Sequence, residues 1–432
     1  MSLIRTLSLA AFTAFIFTTS GYALQNGSAQ NGAPAAVLTP PVEESAVESG
    51  PSIDFIALGD SGYETPWFSF FGSWYGIRGT HWAPGTSGLP VMGPLLTNYC
   101  KTNNCDFAVM LGDNIYPDGV EGIDAEDDAE RFMDVFTTPF APLLEHDAEF
   151  RIFPTLGNHD WRGKRLGVAA QLEYLKTTPP FDMKGLFYSV KPEGTNGLVE
   201  VFVVDTEMLL STQYVFEPNL DEDGREARDI SEVDYIGKHV GRLTDAEQNQ
   251  LGWLKAALAA STAQWKVVTG HHPMWSSGST KFEQAHALRK ILLPVLCGNA
   301  DAYFSGHEHT LEVHADTCQT VMTESEATPL LHIVSGAFSK SRPLHPGFMA
   351  YQAKTYPQLK TAFVAGKVPE GAEHQFKQTW GFAHLSLLGD KATIRIISNI
   401  EDTDVPAEIQ PTTTCVFTKG IGFAEHCAAP TK

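Results

Sequence analysis

The chain has 432 residues, a formal net charge of -21 and 43% hydrophobic residues. That apolar share can bury a sizeable core, and the length fits one large domain or two ordinary ones. The acidic balance argues against nucleic acid or an anionic membrane surface as the main partner, since both are held by basic patches; a small anionic substrate answers to the local field and is not excluded.

The chain opens with MSLIRTLSLAAFTAFIFTTSGYALQ. Arg5 supplies a positive region, Leu9 to Phe17 a short apolar region, and Gly21-Tyr22-Ala23 the small residues that a signal peptidase reads. Residues 1–23 therefore read as a secretory signal peptide cut near Ala23, which makes the mature protein secreted or periplasmic. The apolar run is short for a membrane span, and no later segment is long and apolar enough for one. Residues 24–50 are rich in Gln, Asn, Ala, Pro, Glu and Ser, and read as a disordered linker.

The folded part is expected over 51–400 and begins with IDFIALGD at 53–60. From there a short apolar run is followed, again and again, by a Gly-led turn. FIAL precedes Gly59-Asp60, FAVML precedes Gly112-Asp113, and IFPTL precedes Gly157-Asn158. WKVVT precedes Gly270-His271 and AYFS precedes Gly306-His307, while VEVFVVDT at 199–206 is a further strand. Thr244 and Glu247 fit a capping box, and Leu251, Leu254 and Leu258 then share one face at helical spacing. FAHLSLLGDKATIRIIS at 382–398 reads as an antiparallel hairpin around Gly389-Asp390, so a GD dipeptide alone carries little. Residues 401–432 read as a polar tail. The aromatic stretch 61–99 and the acidic stretch 117–147 read as long loops, either lids and specificity elements beside a site or surface packing.

Six cysteines in an exported chain suggest disulfides. Their positions fall into neighbouring pairs, Cys100 with Cys105, Cys297 with Cys318 and Cys415 with Cys427, one of the roughly fifteen connectivities open to six cysteines. None sits in a C-x-x-C metal spacing.

Strands alternating with helices predict a layered α/β fold, in which sites collect beyond the carboxyl ends of the strands. The polar residues at those ends are Asp60, Asp113, Tyr116, Asn158, His159, Asp160, His271, His272, His307 and His309. Oxygen and imidazole donors without thiols suit iron, manganese or zinc, and so many donors fit two centres that share a carboxylate. Taken singly, Asp60 and Asp113 read as turn residues, Asn158 as a cap and His271 as a satisfied core histidine. Those readings do not account for ligand chemistry at five successive strand ends. His146, His239, His314, His332 and His374 lack such a context and read as structural or solvated. Trp380 and His384 line a pocket rim or pack in the core.

In this order, GDxG, GDxxY, GNHD, GHH and GHEH resemble the metallophosphoesterase superfamily, and specifically its compact, single-domain purple acid phosphatases, over roughly residues 53–340. The resemblance implies a sandwich of two mixed β-sheets flanked by helices, with the site at the strand C-terminal ends. It implies hydrolysis of phosphate monoesters by a metal-bound hydroxide at a dinuclear Fe(III)–M(II) centre. Most of the superfamily opens with Asp-x-His; here Gly62 stands at the histidine, and Tyr116 stands where purple acid phosphatases supply a tyrosine. By this resemblance the first metal is held by Asp60, Asp113, Tyr116 and His309, the second by Asp113, Asn158, His271 and His307. A phenol ionises near pH 10 on its own. Trivalent iron favours its anion more strongly than zinc does, which argues for Fe(III) at the first position, with Fe(II), Zn(II) or Mn(II) at the second. His159 is expected to orient the phosphate or protonate the leaving group. His272 assists from outside the ligand set or packs beside Pro273. Asp160 orients His159 or a ligand, or caps a turn.

One departure is the histidine that compact members carry a short way after the GH motif. None occurs here before His286, on the expected helix EQAHALRKILL. The expected protein is an exported acid phosphatase acting on a small phosphorylated substrate. A phosphodiesterase or nucleotidase on the same site, and a secreted non-enzymatic metal-binding protein, are the alternatives.

Overall fold

The computed structural model describes residues 50, 52–63, 87–122, 128–210, 245–278, 282–366, 368–370, 375–377, 379–399, 409–423 and 427. The expected signal peptide, nearly all of the linker, the aromatic residues 64–86, Thr244, the Glu247 side chain, His239 and His374 lie outside them.

In chain order the strands are β1 (Ile53–Leu58), β2 (Phe107–Leu111), β3 (Ile152–Thr155), β4 (Tyr188–Val190), β5 (Val199–Val203), β6 (Trp265–Thr269), β7 (Ala302–Ser305) and β8 (Leu311–Asp316). They continue with β9 (Leu330–Ser335), β10 (Leu359–Ala365), β11 (Val368–Glu370), β12 (Gln375–Lys377), β13 (Trp380–Leu388), β14 (Lys391–Asn399), β15 (Thr413–Thr418) and β16 (Gly422–Phe423). The helices are α1 (Leu89–Cys100), α2 (Asp128–Phe132), α3 (Thr138–His146), α4 (Asn158–Arg162), α5 (Lys164–Thr177), α6 (Thr206–Leu210), α7 (Asp245–Ala260), α8 (Phe282–Leu296) and α9 (Pro346–Thr355).

Two seven-stranded mixed sheets carry the fold, in the orders β16-β15-β14-β13-β1-β2-β3 and β10-β8-β9-β7-β6-β5-β4. The strands named by motif are the parallel ones: β1, β2 and β3 in the first sheet, β5, β6 and β7 with β9 in the second. Their near-continuous apolar runs are what burial on both faces requires. Phe55 stacks on Phe107 at 4.9 Å and meets Phe304 edge-on at 5.6 Å, so it ties the two sheets together. The outer face of the second sheet places Phe202, Val268 and Tyr303 in one buried cluster with Leu254 and Leu258 of α7 and Leu288 and Leu292 of α8. Burying each of these aliphatics contributes about 1.5–3 kcal/mol. The expected hairpin is present as β13 and β14, antiparallel through Leu388 and Lys391. No helix among the described residues is long and apolar enough to cross a membrane.

Three stretches differ from the sequence reading. The 61–99 stretch contains most of α1, hidden in the sequence by Gly93 and by a proline within the helix, Pro94; Pro90 sits in the first turn, where its missing N–H costs nothing. The acidic stretch 117–147 contains α2, a π-helical segment Met133–Thr137 and α3, whose buried residues include Phe132, Phe136 and Phe140. Within the expected tail, β15 extends the first sheet. It alternates buried Thr413, Cys415 and Phe417 with outward positions, so its polar face masked its apolar one. The disulfides join Cys100 to Cys105, Cys297 to Cys318 and Cys415 to Cys427, the neighbouring pairs.

Candidate metal centre

The polar turns at the ends of β1, β2, β3, β6 and β7 meet in one place. Asp60, Asp113 and His307 each have a positive φ (56, 52 and 68°), among five such non-glycine residues described. Backbone held in this region costs energy, and it clusters where function demands a fixed side-chain direction. The recurring glycines have a steric reason as well. A Cβ on Gly157 would stand 2.2 Å from Asp113 Oδ1. One on Gly62 would stand 1.8 Å from the Asn114 carbonyl oxygen, so the backbone here has no room for the superfamily's histidine.

The first group of donors centres on Tyr116. Its hydroxyl is 2.8 Å from Asp60 Oδ1, 2.9 Å from Asp113 Oδ2 and 3.2 Å from His309 Nε2. His309 Nε2 is also 3.1 Å from Asp60 Oδ1. Asp60, Asp113, Tyr116 and His309 are all buried. Burial pushes the Asp60 carboxyl up to about 7, against the pull of His271 and with the Asp113 charge adding to it. Burial, then Asp113 and Asp60, push the Tyr116 phenol well above its ordinary range. A cation among these oxygens opposes both shifts, because it favours the carboxylate and the phenolate.

The second group is organised by tautomers. His271 Nδ1 is 2.8 Å from the Leu111 carbonyl, which can only accept, so Nδ1 carries the proton. His307 Nε2 is 2.7 Å from Gln284 Oε1 and likewise donates. In their neutral forms the remaining nitrogens, His271 Nε2 and His307 Nδ1, direct lone pairs at each other across 3.0 Å. Asp113 Oδ1 and Asn158 Oδ1 each lie 3.3 Å from His271 Nε2. Three further acceptors thus lie within 3.3 Å of His271 Nε2, an arrangement that a cation satisfies. The His271 pKa reports the same field: burial lowers it, but Asp113 and then Asp60 outweigh burial and raise it to about 9. Clusters with ligand atoms within 4.8 Å of one another comprise Asp60, Asp113 and His271, and also His271, His272 and His307. The donor set therefore fits two hard or borderline ions.

The other expected site residues surround this centre. The His159 backbone N–H donates to Asp113 Oδ1 at 2.8 Å, its Nδ1 contacts the Pro117 carbonyl, and its Nε2 lies 3.9 Å from Asp113 Oδ2. Burial lowers the His159 pKa to about 4 against the pull of Asp113, with Arg162 and Lys340 helping to lower it. Asp160 accepts from the Gly157, Asn114 and Ile115 backbone amides and from Gln171. It therefore clamps the turn after β2 to the turn after β3. His272 Nδ1 is 2.8 Å from Thr206 Oγ1, a hydroxyl that already accepts from the His271 and His272 amides. The hydroxyl donates to Nδ1, and Nε2 carries its proton toward Glu207, 3.5 Å away. Trp380 and His384 are core residues, His384 against the Tyr99 hydroxyl at 2.6 Å.

Four contributors were not collected from the sequence. Thr206 stands at the end of β5, signalled by a polar pair after an apolar run but by no glycine. Gln284 and not His286 reaches the centre from α8; His286 lies 3.4 Å from Arg289 instead. The sixth strand end, LLHIVSG at β9, repeats the apolar-run-then-glycine pattern and brings Ser339 and Lys340 to the site.

The calcineurin-like phosphoesterase profile matches residues 56–311. Tartrate-resistant acid phosphatase type 5 of Homo sapiens is 32% identical over 217 residues, covering 49% of this chain and 57% of that protein. Purple acid phosphatase 17 of Arabidopsis thaliana is 31% identical over 240 residues, covering 55% of this chain and 59% of that protein. The matched stretch thus spans less than two thirds of these relatives' own length. Among solved structures, GAP50, the anchor in the inner membrane complex of Plasmodium, superposes with a TM-score of 0.51 at 17% identity, covering 87% of this chain and 90% of that one. PhoD superposes with a TM-score of 0.51 at 14% identity, covering 89% and 72%. At these identities the shared property is the fold.

Proposed function

The chain belongs to the calcineurin-like phosphoesterase family, and from that membership we propose that it is an exported acid phosphatase that hydrolyses small phosphate monoesters at a dinuclear metal centre. The observation that carries the reading is the convergence of Asp60, Asp113, Tyr116 and His309 beside Asn158, His271 and His307. The fold alone would not suffice, since it also occurs in a protein described as an anchor. Acid phosphatases among the curated relatives support the reading.

Asp60, Asp113, Tyr116 and His309 would hold Fe(III); Asp113, Asn158, His271 and His307 would hold Fe(II), Zn(II) or Mn(II), with Asp113 shared. When bound, the pair of ions supplies Lewis acidity toward the phosphate oxygens and makes water acidic enough to attack near neutral pH. The chain's own residues do the rest. The Leu111 carbonyl and Gln284 fix the His271 and His307 tautomers. His159, with Nδ1 held at the Pro117 carbonyl, presents Nε2 beside the shared aspartate, where it contacts the phosphoryl group and hands a proton to the leaving oxygen. Its low pKa concentrates the proton-donating form at acid pH. Asp160 and His272 hold the two motif turns in register and contact no reacting atom. Export is supported by the signal-like N-terminus and the three disulfides, and we place the catalytic domain at 51–423, the expected 51–400 extended to take in β15 and β16 of the first sheet.

The test is hydrolysis of an aryl phosphate monoester across pH beside the matching diester, on protein isolated without chelator, with Asn158→Ala as control. A monoester rate that peaks at acid pH and vanishes in the control bears the reading out. A dominant diester rate moves it to a phosphodiesterase. No rate on either with both ions bound overturns it in favour of a binding role.

A further inference from the structure

We propose that Lys340 is a substrate-positioning residue, whose ammonium binds the non-bridging oxygens of the phosphoryl group at this centre. The inference rests on the phosphoesterase reading and adds to it a residue from the end of β9.

Lys340 Nζ lies 4.2 Å from the ring centroid of Tyr116, the residue whose hydroxyl touches Asp60, Asp113 and His309, and 4.7 Å from the ring of Tyr63. Two aromatic faces hold the ammonium at one end of the ligand cluster. The His159 and Tyr116 rings are 4.2 Å apart, so Tyr116 is in contact with both Lys340 and His159. Lys340 thus shares Tyr116 as a neighbour with the residue proposed to face the leaving group.

The loop that carries it is pinned. The Gly336 amide donates to the Thr310 carbonyl at 3.1 Å, Phe338 to Gly59 at 3.2 Å, Ser339 to Asp60 at 3.3 Å and Arg342 to His309 at 2.8 Å. Ser339 Oγ also accepts from the Tyr63 amide at 3.0 Å and contacts the Asp60 carbonyl. The backbone on either side of Lys340 is therefore tied to two expected ligands, Asp60 and His309. Such a support holds a charged group where a substrate charge will sit, at little ordering cost on binding. A half-buried ammonium forms strong charge-assisted bonds to a phosphate dianion. The chain carries a net charge of -21, so a local cation beside the centre has an evident use: it offsets the repulsion that a dianionic substrate would otherwise meet.

The experiment compares wild type with Lys340→Met and Lys340→Arg, all metal-loaded. Aryl phosphate kinetics are measured alongside calorimetric binding of inorganic phosphate and the melting temperature. The expectation for Lys340→Met is a KM and a phosphate dissociation constant raised roughly tenfold, the loss of one charge-assisted contact, with metal content and melting temperature held. Lys340→Arg recovers most of the binding. If Lys340→Met leaves phosphate binding and KM unchanged while lowering the melting temperature, Lys340 is only a strut between Tyr63 and Tyr116, and the proposal fails. A wild type that binds phosphate through Lys340 yet hydrolyses no ester keeps the positioning role and overturns the phosphatase reading. A wild type that binds no phosphate overturns the positioning role.

Discussion

His271 Nε2 and His307 Nδ1 face each other at 3.0 Å, while the far nitrogen of each ring donates to a fixed oxygen, the Leu111 carbonyl and Gln284 Oε1. With both rings neutral these two lone pairs repel, and Asp113 and Asn158 add two more acceptors at 3.3 Å. A cation turns this into a coordination site. On the proposed assignment, Asn158→Ala removes one donor of the second position and none of the first. Elemental analysis of that variant is therefore expected to find close to one ion per chain where the wild type holds two, because losing a direct ligand weakens retention at least as much as the 10–100-fold typical of an outer partner. Full occupancy in the variant would show that Asn158 is not a ligand.

Tyr116 separates iron from zinc at the first position. A phenolate bound to Fe(III) gives a visible charge-transfer absorption; a phenolate bound to zinc does not. Protein isolated without chelator is expected to be coloured, and Tyr116→Phe to be colourless, since the ring remains and only the hydroxyl between Asp60 and Asp113 is lost. A wild type colourless under oxidising conditions with both ions bound would exclude Fe(III) on Tyr116.

Asp160 works at the backbone. Its carboxylate receives three buried amides, Gly157 at 2.7 Å, Ile115 at 3.1 Å and Asn114 at 3.1 and 3.2 Å to its two oxygens. Asp160→Ala strands those donors, each costing about 1–3 kcal/mol when left unpaired and dry. Relaxation and entering water recover part of this, so a net loss of about 2–4 kcal/mol is expected in urea unfolding. A loss below about 0.5 kcal/mol, the range of ordinary surface substitutions, would show that the clamp does not hold the two turns.

The strands that position the site were legible in the sequence through one property: a short apolar run that ends in a glycine and a donor. β1, β2, β3, β6 and β7 announce themselves because burial on both faces demands continuous apolar residues and because close approach at Gly157 tolerates no side chain. What stayed hidden is equally physical. Gly93 and Pro94 disguise α1, and the polar outward face of β15 disguises a sheet strand. Gln284 sits on a helix far along the chain, and only the folded geometry brings it to His307. Lys340 follows the same apolar-run-then-glycine signal at β9. The donor types sought at strand ends were metal ligands, and a lysine is not one.

His332 is expected to make stability fall in acid. It lies on β9, fully buried, stacked on Tyr303 at 5.4 Å and beside His314 at 5.9 Å; among the described residues neither of its ring nitrogens has a hydrogen-bond partner. Burial, then the His314 and Arg289 charges, hold its pKa well below the ordinary histidine value. The sign follows from proton counting. Above about pH 6.5 the imidazole is neutral both folded and unfolded, and contributes nothing to the pH dependence. Below that value the unfolded chain takes up a proton that the folded site refuses, so the native state loses up to about 1.4 kcal/mol per pH unit. Between pH 7 and pH 5 this one group is expected to remove about 2 kcal/mol. His332→Phe keeps a ring against Tyr303 and has no proton to gain, so its urea midpoint is expected to fall by correspondingly less over the same interval. Parallel pH profiles for wild type and variant would mean that the folded protein protonates His332 as readily as the unfolded chain does. If the phosphatase reading is right, this histidine sets a stability limit in the pH range where the enzyme works, and removing it should lengthen active lifetime at pH 5 without moving the kinetic optimum.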